Sequence, residues 1–131
     1  MLGAGCGATM LAGCLPSSTY RTTLQPGGRI VVPPEQLARV SSPDGALQVR
    51  TPGMRMAVVL RQPSPDRWVV LLPVCTHRGC QLVVRPAGLD CPCHGSTFDR
   101  EGKVLTGPAT EPLLTLRTHK EGSSLVIKVP A

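Results

Sequence analysis

Four of the six cysteines and two of the three histidines of this 131-residue chain lie in two short segments. The first segment reads CTHRGC, from Cys75 to Cys80, and the second reads CPCHGSTFD, from Cys91 to Asp99. Thiolates and imidazoles at such close spacing are ligands for zinc, copper or iron–sulfur clusters. The two segments therefore predict a metal centre that is built from two loops.

The number of candidate ligands limits which metal these segments suit. A structural zinc site takes four ligands, commonly as pairs a few residues apart, and Cys75 with Cys80 or Cys91 with His94 could form such pairs. Zinc would then leave two good ligands unused, so a zinc-binding structural module is an alternative that the count disfavours. The six candidates are Cys75, His77, Cys80, Cys91, Cys93 and His94.

The two segments together resemble the pattern of the Rieske iron–sulfur family, Cys-x-His-x-Gly-Cys followed by Cys-x-x-His. The resemblance extends more loosely over about residues 46–129. It implies a [2Fe–2S] cluster in which Cys75 and Cys91 bind one iron and His77 and His94 bind the other. Because neutral imidazoles replace two thiolates, the expected reduction potential is roughly −150 to +300 mV, against about −400 mV for all-cysteine plant-type centres.

The resemblance also gives a role to the remaining pair of cysteines. It implies a disulfide between Cys80 and Cys93 that ties the two loops together, as in the disulfide-bearing branch of the family. Low-potential Rieske ferredoxins and oxygenases generally lack this pair. Disulfides persist in oxidising compartments, so the pair favours an exported, periplasmic location.

Residues beside the predicted ligands should tune the potential. Ser96 occupies the family position whose hydroxyl donates to a bridging sulfide, although a turn serine that bonds its own backbone is the alternative. Phe98 stands where high-potential members carry a tyrosine, so we expect Phe98→Tyr to raise the potential. Pro108, in the segment TGPA, resembles the family's proline loop over the cluster, with an ordinary Gly-Pro turn as the alternative. Arg78 replaces a common apolar residue, which favours an acidic partner or weakens contact with a quinone.

The rest of the chain reads as short strands between turns. β-Branched runs bounded by Gly or Pro are typical of strands, and no stretch shows a sustained helical period. Residues 33–40 suit either a helical turn or a loop. We expect an all-β fold, a Rieske-like antiparallel sandwich or small barrel with a cluster-binding subdomain of two loops. The predicted strands are residues 46–50, 54–62, 67–74, 81–85, 102–105, 113–119 and 124–129.

The beginning of the sequence differs in composition from the remainder. Residues 1–15 are apolar or small and carry no charge, as in the core of a signal peptide. The run LAGC resembles a bacterial lipobox and predicts lipidation of Cys14, which would anchor the chain to a membrane. A buried or disordered start, or a true start further upstream, are the alternatives. We expect residues 16–28 to be a linker and 29–131 to be the Rieske domain, with its cluster-binding part at about 74–109.

The charge of the chain bears on its partners. A net charge of +6 suggests a partner with an acidic face or an anionic membrane surface. Lys and Arg are scattered without a basic run and almost without aromatic neighbours, so nucleic-acid binding is not expected.

Electron transfer is the predicted function. The chain would act as an exported carrier or as the small subunit of a respiratory oxidoreductase, like the Rieske subunits of cytochrome bc complexes or of arsenite oxidase. Its partner would be a large catalytic subunit, a quinol-oxidising complex or a cytochrome. A self-contained oxygenase needs a second iron held by two histidines and a carboxylate, and only His119, expected to be a surface or core residue, remains. A ferredoxin-like donor to an oxygenase is the other alternative.

Overall fold

The computed structural model describes residues 18–130, and all structural statements below concern this range. Eleven strands and two short helical turns follow one another in it. The strands are Ser18–Arg21 (β1), Arg29–Val32 (β2), Leu47–Arg50 (β3), Val58–Ser64 (β4), Arg67–Leu71 (β5), Val83–Arg85 (β6), Gly88–Asp90 (β7), Thr97–Asp99 (β8), Val104–Thr106 (β9), Thr115–Glu121 (β10) and Ser124–Lys128 (β11). Helix α1, Pro34–Leu37, leads directly into a 3-10 turn, Ala38–Val40.

Seven strands form a large sheet in the order β1-β3-β4-β5-β10-β11-β2. The neighbouring strands are antiparallel except β1 and β3, which run parallel. Alternate side chains point inward, and they are mostly Val, Leu and Ile because the chain has so few aromatic residues. Fully buried residues of this core include Ile30, Leu60 and Ile127. The all-β prediction is confirmed.

The other four strands form a small sheet in the order β6-β7-β8-β9. Each of these strands has only three residues. Strands β7 and β8 approach so closely that a Cβ on Gly88 would lie 1.9 Å from the carbonyl oxygen of Phe98. Only glycine fits at this position. The small sheet carries the two cysteine-containing loops at one of its ends.

Four of the strands lie outside the predicted strand ranges, and one of them is Arg29–Val32. Another, Ser18–Arg21, lies within residues 16–28, the segment expected to be a linker, so ordered structure begins before Arg29. This short strand pairs with β3, and Tyr20 packs against the large core. Gly88–Asp90 was read as a turn, and Thr97–Asp99 as part of a loop. In residues 33–40 the helical alternative is the one observed.

A buried arginine on β4 joins the two sheets. Arg61 has no exposed surface, and its guanidinium donates to the carbonyl oxygens of Arg85 and Pro86 at 2.9 and 2.8 Å. It also donates to the carbonyl oxygens of Gly88 and Asp44, at 3.2 and 3.1 Å. Burial lowers the pKa of Arg61 to about 10, with the charge of Arg100 acting in the same direction and that of Asp44 opposing it. The group is therefore charged at neutral pH, and it holds the β6–β7 turn against the large sheet.

Candidate metal centre

The two cysteine-containing segments form loops at the same end of the small sheet. The first loop connects β5 to β6, and the bridge between Val74 and Gln81 closes it. The second loop connects β7 to β8. Because β7 and β8 are neighbours in the sheet, and β6 pairs with β7, both loops are held by a few backbone hydrogen bonds of short strands.

Both loops have the same backbone turn. In the first, the amide of Cys75 donates to the carbonyl of Cys80 at 2.8 Å, and the amide of Gly79 donates back to the carbonyl of Cys75 at 2.8 Å. In the second, Cys91 and Ser96 are joined in the same way at 2.7 Å, and Gly95 donates to Cys91 at 3.1 Å. The glycines have φ angles of 79° and 85°, in the left-handed region that favours glycine. The glycine in each motif is therefore required by the turn itself.

A disulfide between Cys80 and Cys93 joins the two loops. Its sulfurs and that of Cys91 all lie within 4.8 Å of one another. This group of three sulfurs is not a metal site, because the sulfurs of a disulfide carry no free thiolate. The disulfide instead fixes the distance between the loops that carry the remaining candidates.

The other two cysteines of the loops are free and buried. Cys75 is 2% exposed and Cys91 is 4% exposed. Burial raises the pKa of the Cys75 thiol, but hydrogen bonds from the backbone amides of His77 and Arg78 and from the side chains of Cys91 and Ser96 outweigh it, so that the pKa is lowered. Donors directed at a sulfur favour its thiolate form, which is the form that binds metal. This sulfur is therefore surrounded as a metal-binding thiolate would be.

The two histidines of the loops lie next to each other. The ring centroids of His77 and His94 are 5.1 Å apart, with the rings nearly perpendicular. His77 is partly buried, and its Nδ1 is buried without a hydrogen-bond partner among the described residues. His94 is exposed. A buried ring nitrogen without a partner is costly unless it binds something else, and a metal ion is its usual ligand.

A third loop, between β9 and β10, packs against the first two. The amide of Ala109 donates to Oγ of Ser96 at 3.0 Å, and both residues are buried. The hydroxyl of Thr76 donates to the carbonyl oxygen of Glu111 at 2.7 Å. Pro108, which follows a cis peptide bond, is exposed beside Ala109. The hydroxyl of Ser96 thus accepts a hydrogen bond from one loop and donates one toward Cys75 on another.

Most of the residues singled out in the sequence come together at this end. Phe98 is 1% exposed and packs with Leu89 and Cys91 in the core of the small sheet. His119 lies on β10, exposed, and pairs with Glu121 at 2.9 Å, so it is a surface residue. Cys14, the predicted lipidation site, lies outside the described residues.

Two residues that support the site were not singled out in the sequence. Arg61 sits in an apolar strand, and nothing in its neighbourhood in the sequence indicates four carbonyl partners. Thr76 lies inside the motif, but its partner Glu111 is 35 residues away.

Comparison with known proteins agrees with this geometry. The profile of the Rieske [2Fe-2S] domain matches residues 30–120, and the chain belongs to this family. The family binds a [2Fe–2S] cluster, which is therefore the cofactor of this chain, and the family's chemistry is electron transfer. The zinc alternative is not retained.

Individual relatives and solved structures that resemble this chain are also Rieske proteins or share their fold. The mitochondrial Rieske subunit of the cytochrome b-c1 complex of Gallus gallus is 37% identical over 78 residues, which cover 52% of this chain and 29% of the relative. The plasma membrane Rieske protein PetC3 of Synechocystis PCC 6803 is 33% identical, with a TM-score of 0.55, over 64% of this chain and 86% of that one. A chain of a hyperthermophilic respiratory Complex III, 24% identical with a TM-score of 0.54, covers 95% of this chain and 93% of its own, and shares the fold.

The match to curated relatives is partial in length. The matched stretch spans between 22% and 34% of the first such relatives, which are Rieske subunits of cytochrome b-c1 complexes or Rieske-like proteins. Within residues 18–130, no helix has the length and apolar character needed to cross a bilayer.

The residues at the ends of the loops fit the cluster. The same two loops carry two buried thiols, one of them with several hydrogen-bond donors directed at its sulfur, and an imidazole nitrogen that lacks a partner among the described residues. Thiolates and imidazoles are the donor set of a Rieske centre.

Proposed function

We propose that this chain transfers single electrons through a cluster held by Cys75 and Cys91 at one iron and by His77 and His94 at the other. The observation that carries the assignment is the pairing of two free, buried thiols with two adjacent imidazole rings on loops joined by a disulfide. When bound, the cluster supplies a one-electron couple. The disulfide uses two of the six candidate ligands and leaves these four.

The residues around the thiols would make the added charge of reduction less costly. The amides of His77 and Arg78 and the hydroxyl of Ser96 are directed at the sulfur of Cys75. Hydrogen bonds to cluster sulfurs raise the reduction potential because they stabilise the more negative state. Phe98 has no hydroxyl to add to this set, which supports a potential below that of tyrosine-bearing members.

The histidines would be the place where a redox partner meets the cluster. His94 is exposed, whereas Cys75 and Cys91 are buried, so a partner approaching this end would meet an imidazole first. An imidazole that binds iron through one nitrogen keeps a proton on the other. Because reduction would raise the proton affinity of that second nitrogen, uptake of an electron and uptake of a proton can be coupled at this ring, which suits oxidation of a hydroquinone. Arg78, exposed on the first loop, would favour an acidic partner.

We place the protein in an oxidising compartment, as a carrier or a subunit of a membrane-associated respiratory complex. A disulfide supports the exported location, since thiols in the cytosol are kept reduced. The relatives that are subunits of cytochrome b-c1 complexes, and the plasma membrane protein of Synechocystis, support a membrane-associated redox partner.

Lipidation at Cys14 would attach the chain to the membrane. The intact mass of the protein from the membrane fraction tests this proposal, and a mass that includes residues 1–13 contradicts lipidation.

An EPR-monitored redox titration at several pH values tests the cluster and its ligands. We expect a rhombic Rieske-type signal in the reduced protein and a potential that falls as pH rises, because reduction raises the proton affinity of the imidazoles. His94→Cys should abolish the rhombic signal, whereas the control His119→Cys should keep it. Retention of the signal in His94→Cys would contradict the ligand assignment.

The same titration and a copurification separate the remaining alternatives. A positive potential supports a place near quinol or cytochrome carriers, whereas a clearly negative one favours a ferredoxin-like donor to an oxygenase. A stoichiometric large protein that copurifies with the chain supports the subunit, and an isolated monomer supports the freestanding carrier.

A further inference from the structure

A cavity that is separate from the metal centre lies at the edge of the large sheet. It has a volume of about 450 Å³ and is open to solvent on one side. Its walls come from the end of β1 with the residues that follow it, and from the end of β3 with the loop that leads to β4. None of the residues that line it is acidic.

Two arginines stand side by side in this cavity. Arg21 and Arg50 occupy paired positions of the parallel strands β1 and β3, so their side chains leave the same face of the sheet. Neighbouring strands are only about 4.8 Å apart, and like charges at paired positions destabilise a sheet. In residues 18–130 neither guanidinium has an ion pair or a hydrogen bond. By contrast, Arg29, Arg67, Arg85 and Arg100 each pair with a carboxylate.

Threonine side chains complete the wall of the cavity. Thr22 and Thr23 follow Arg21, and Thr51 follows Arg50. Thr51 is only 6% exposed, and its Oγ1 is buried without a hydrogen-bond partner among the described residues. A buried hydroxyl without a partner is costly, and a ligand that turns this side chain toward the cavity would supply one. The backbone amide of Thr22 donates to the carbonyl of Arg50 at 3.0 Å, which continues the pairing of the strands and fixes the wall.

We propose that this cavity binds a phosphate-class oxyanion between Arg21 and Arg50. Each guanidinium can donate two parallel hydrogen bonds to such an anion, and the threonine hydroxyls add further donors. This number of donors exceeds what the two oxygens of a carboxylate need, and it suits a group with three or four oxygens. The anion would also remove the repulsion between the paired arginines.

Such an anion could be free phosphate or the headgroup of a phospholipid, and a groove beside the cavity bears on the second source. A mostly apolar groove of about 460 Å³, lined by Met56, Leu72 and Leu114 and bounded by Cys75 and Thr76 of the first cysteine-containing loop, shares Met54 with the cationic cavity. Leu114 is 65% exposed in this groove. The acyl chain of a phospholipid could lie in this groove while its phosphate binds the arginines, whereas free phosphate would leave the groove unused.

Titration of the full-length, cluster-loaded protein with inorganic phosphate tests the site. The reference is chloride at equal ionic strength, and isothermal calorimetry is the measurement. We expect saturable binding that weakens about tenfold for each arginine replaced in Arg21→Gln and Arg50→Gln, since a hydrogen bond to a charged group is lost in each. Arg117→Gln is the matched control, because Arg117 is exposed and lies outside the cavity. Its affinity should equal that of the wild type. The EPR signal of every variant checks that it is folded.

Cosedimentation with vesicles distinguishes the two sources. Vesicles of phosphatidylglycerol that bind wild type, release it on addition of phosphate and fail to bind the double arginine variant identify the headgroup. Binding of inorganic phosphate without binding of these vesicles identifies a free anion. The proposal is overturned if phosphate shows no saturable binding, or if the double variant binds it as tightly as Arg117→Gln does.

Discussion

The large sheet and the small sheet bury different kinds of groups. The core of the large sheet consists of fully buried aliphatic side chains such as Ile30, Leu60 and Ile127. The buried cluster of the small sheet contains Leu89, Phe98 and the free cysteines of the two loops, and it packs against Val59, Val69 and Leu71 of the large sheet. Directional contacts add to this packing: a disulfide, hydrogen bonds between loops, and the carbonyls that Arg61 bridges.

This difference matches what each sheet has to do. Burial of apolar area is non-directional, so the large sheet can be stable without fixing any single side chain. Hydrogen bonds and disulfides fix positions, and a metal centre needs its ligands held closely in place. The small sheet is therefore more sensitive to mutation, since one substitution can remove a hydrogen bond or the disulfide.

Arg61→Met should have the largest effect, because it removes four buried hydrogen bonds that hold the β6–β7 turn against the large sheet. The methionine leaves buried carbonyls without a donor, and we expect a loss of about 3–5 kcal/mol in the free energy of unfolding. Denaturant unfolding measures it. The control Arg67→Met removes an exposed ion pair with Glu101 and should cost about 0–1 kcal/mol. Hydrogen exchange should accelerate most in β6 and β7. Equal losses in the two variants would contradict this role of Arg61.

Replacing both Cys80 and Cys93 by serine should have the next largest effect. A cross-link over a separation of 13 residues contributes up to about 3 kcal/mol by restricting the unfolded chain. We expect faster hydrogen exchange in the two loops and easier loss of the cluster, with β10 and β11 unchanged. Uniform acceleration across both sheets would show that the disulfide stabilises the whole molecule instead.

The difference between apolar burial and directional contacts also explains which parts of the fold could be predicted from the sequence. Five strands of the large sheet were predicted from runs such as RWVVLL, because β-branched residues in sequence identify a strand directly. Strand β7 was missed because its sequence, Gly-Leu-Asp, has little strand propensity and depends on its neighbours. The four proposed cluster ligands come from the motif and stay a prediction, whereas the contacts of Arg61 and of Thr76 join distant parts of the chain, which no local pattern records.

Ser96→Ala should have a moderate, local effect. It leaves the buried amide of Ala109 without an acceptor, so we expect a loss of about 1–3 kcal/mol. It also removes a donor directed at the sulfur of Cys75, so the potential should fall. Denaturant unfolding and a redox titration measure the two effects. Ser64→Ala, at the exposed end of β4, is the control and should change neither. An unchanged potential in Ser96→Ala would restrict this serine to a structural role.

Glu121→Gln should have the smallest effect, confined to the large sheet. Glu121 accepts hydrogen bonds from Arg29 on β2 at 2.8 and 2.9 Å and contacts His119 at 2.9 Å. These partners, Arg29 above all, lower the pKa of Glu121 to about 2 from a usual 4.5. A lowered carboxyl pKa gives stability that is present above pH 4.5 and is lost as pH falls toward 2. The variant should therefore lose this part of the pH dependence while the EPR signal stays unchanged.

Arg29→Gln provides the check on this assignment. Without the guanidinium the pKa of Glu121 should rise, so Arg29→Gln should flatten the same part of the pH profile. The double variant should then add little to either single one, because the two residues act through one interaction. If the stability losses of the two single variants add in the double variant, or if Glu121→Gln has the same pH profile of stability as the wild type, the loss of stability in acid does not come from this ion pair. The metal centre should stay intact in all three variants, since the ion pair ties β2 to β10 and touches neither loop.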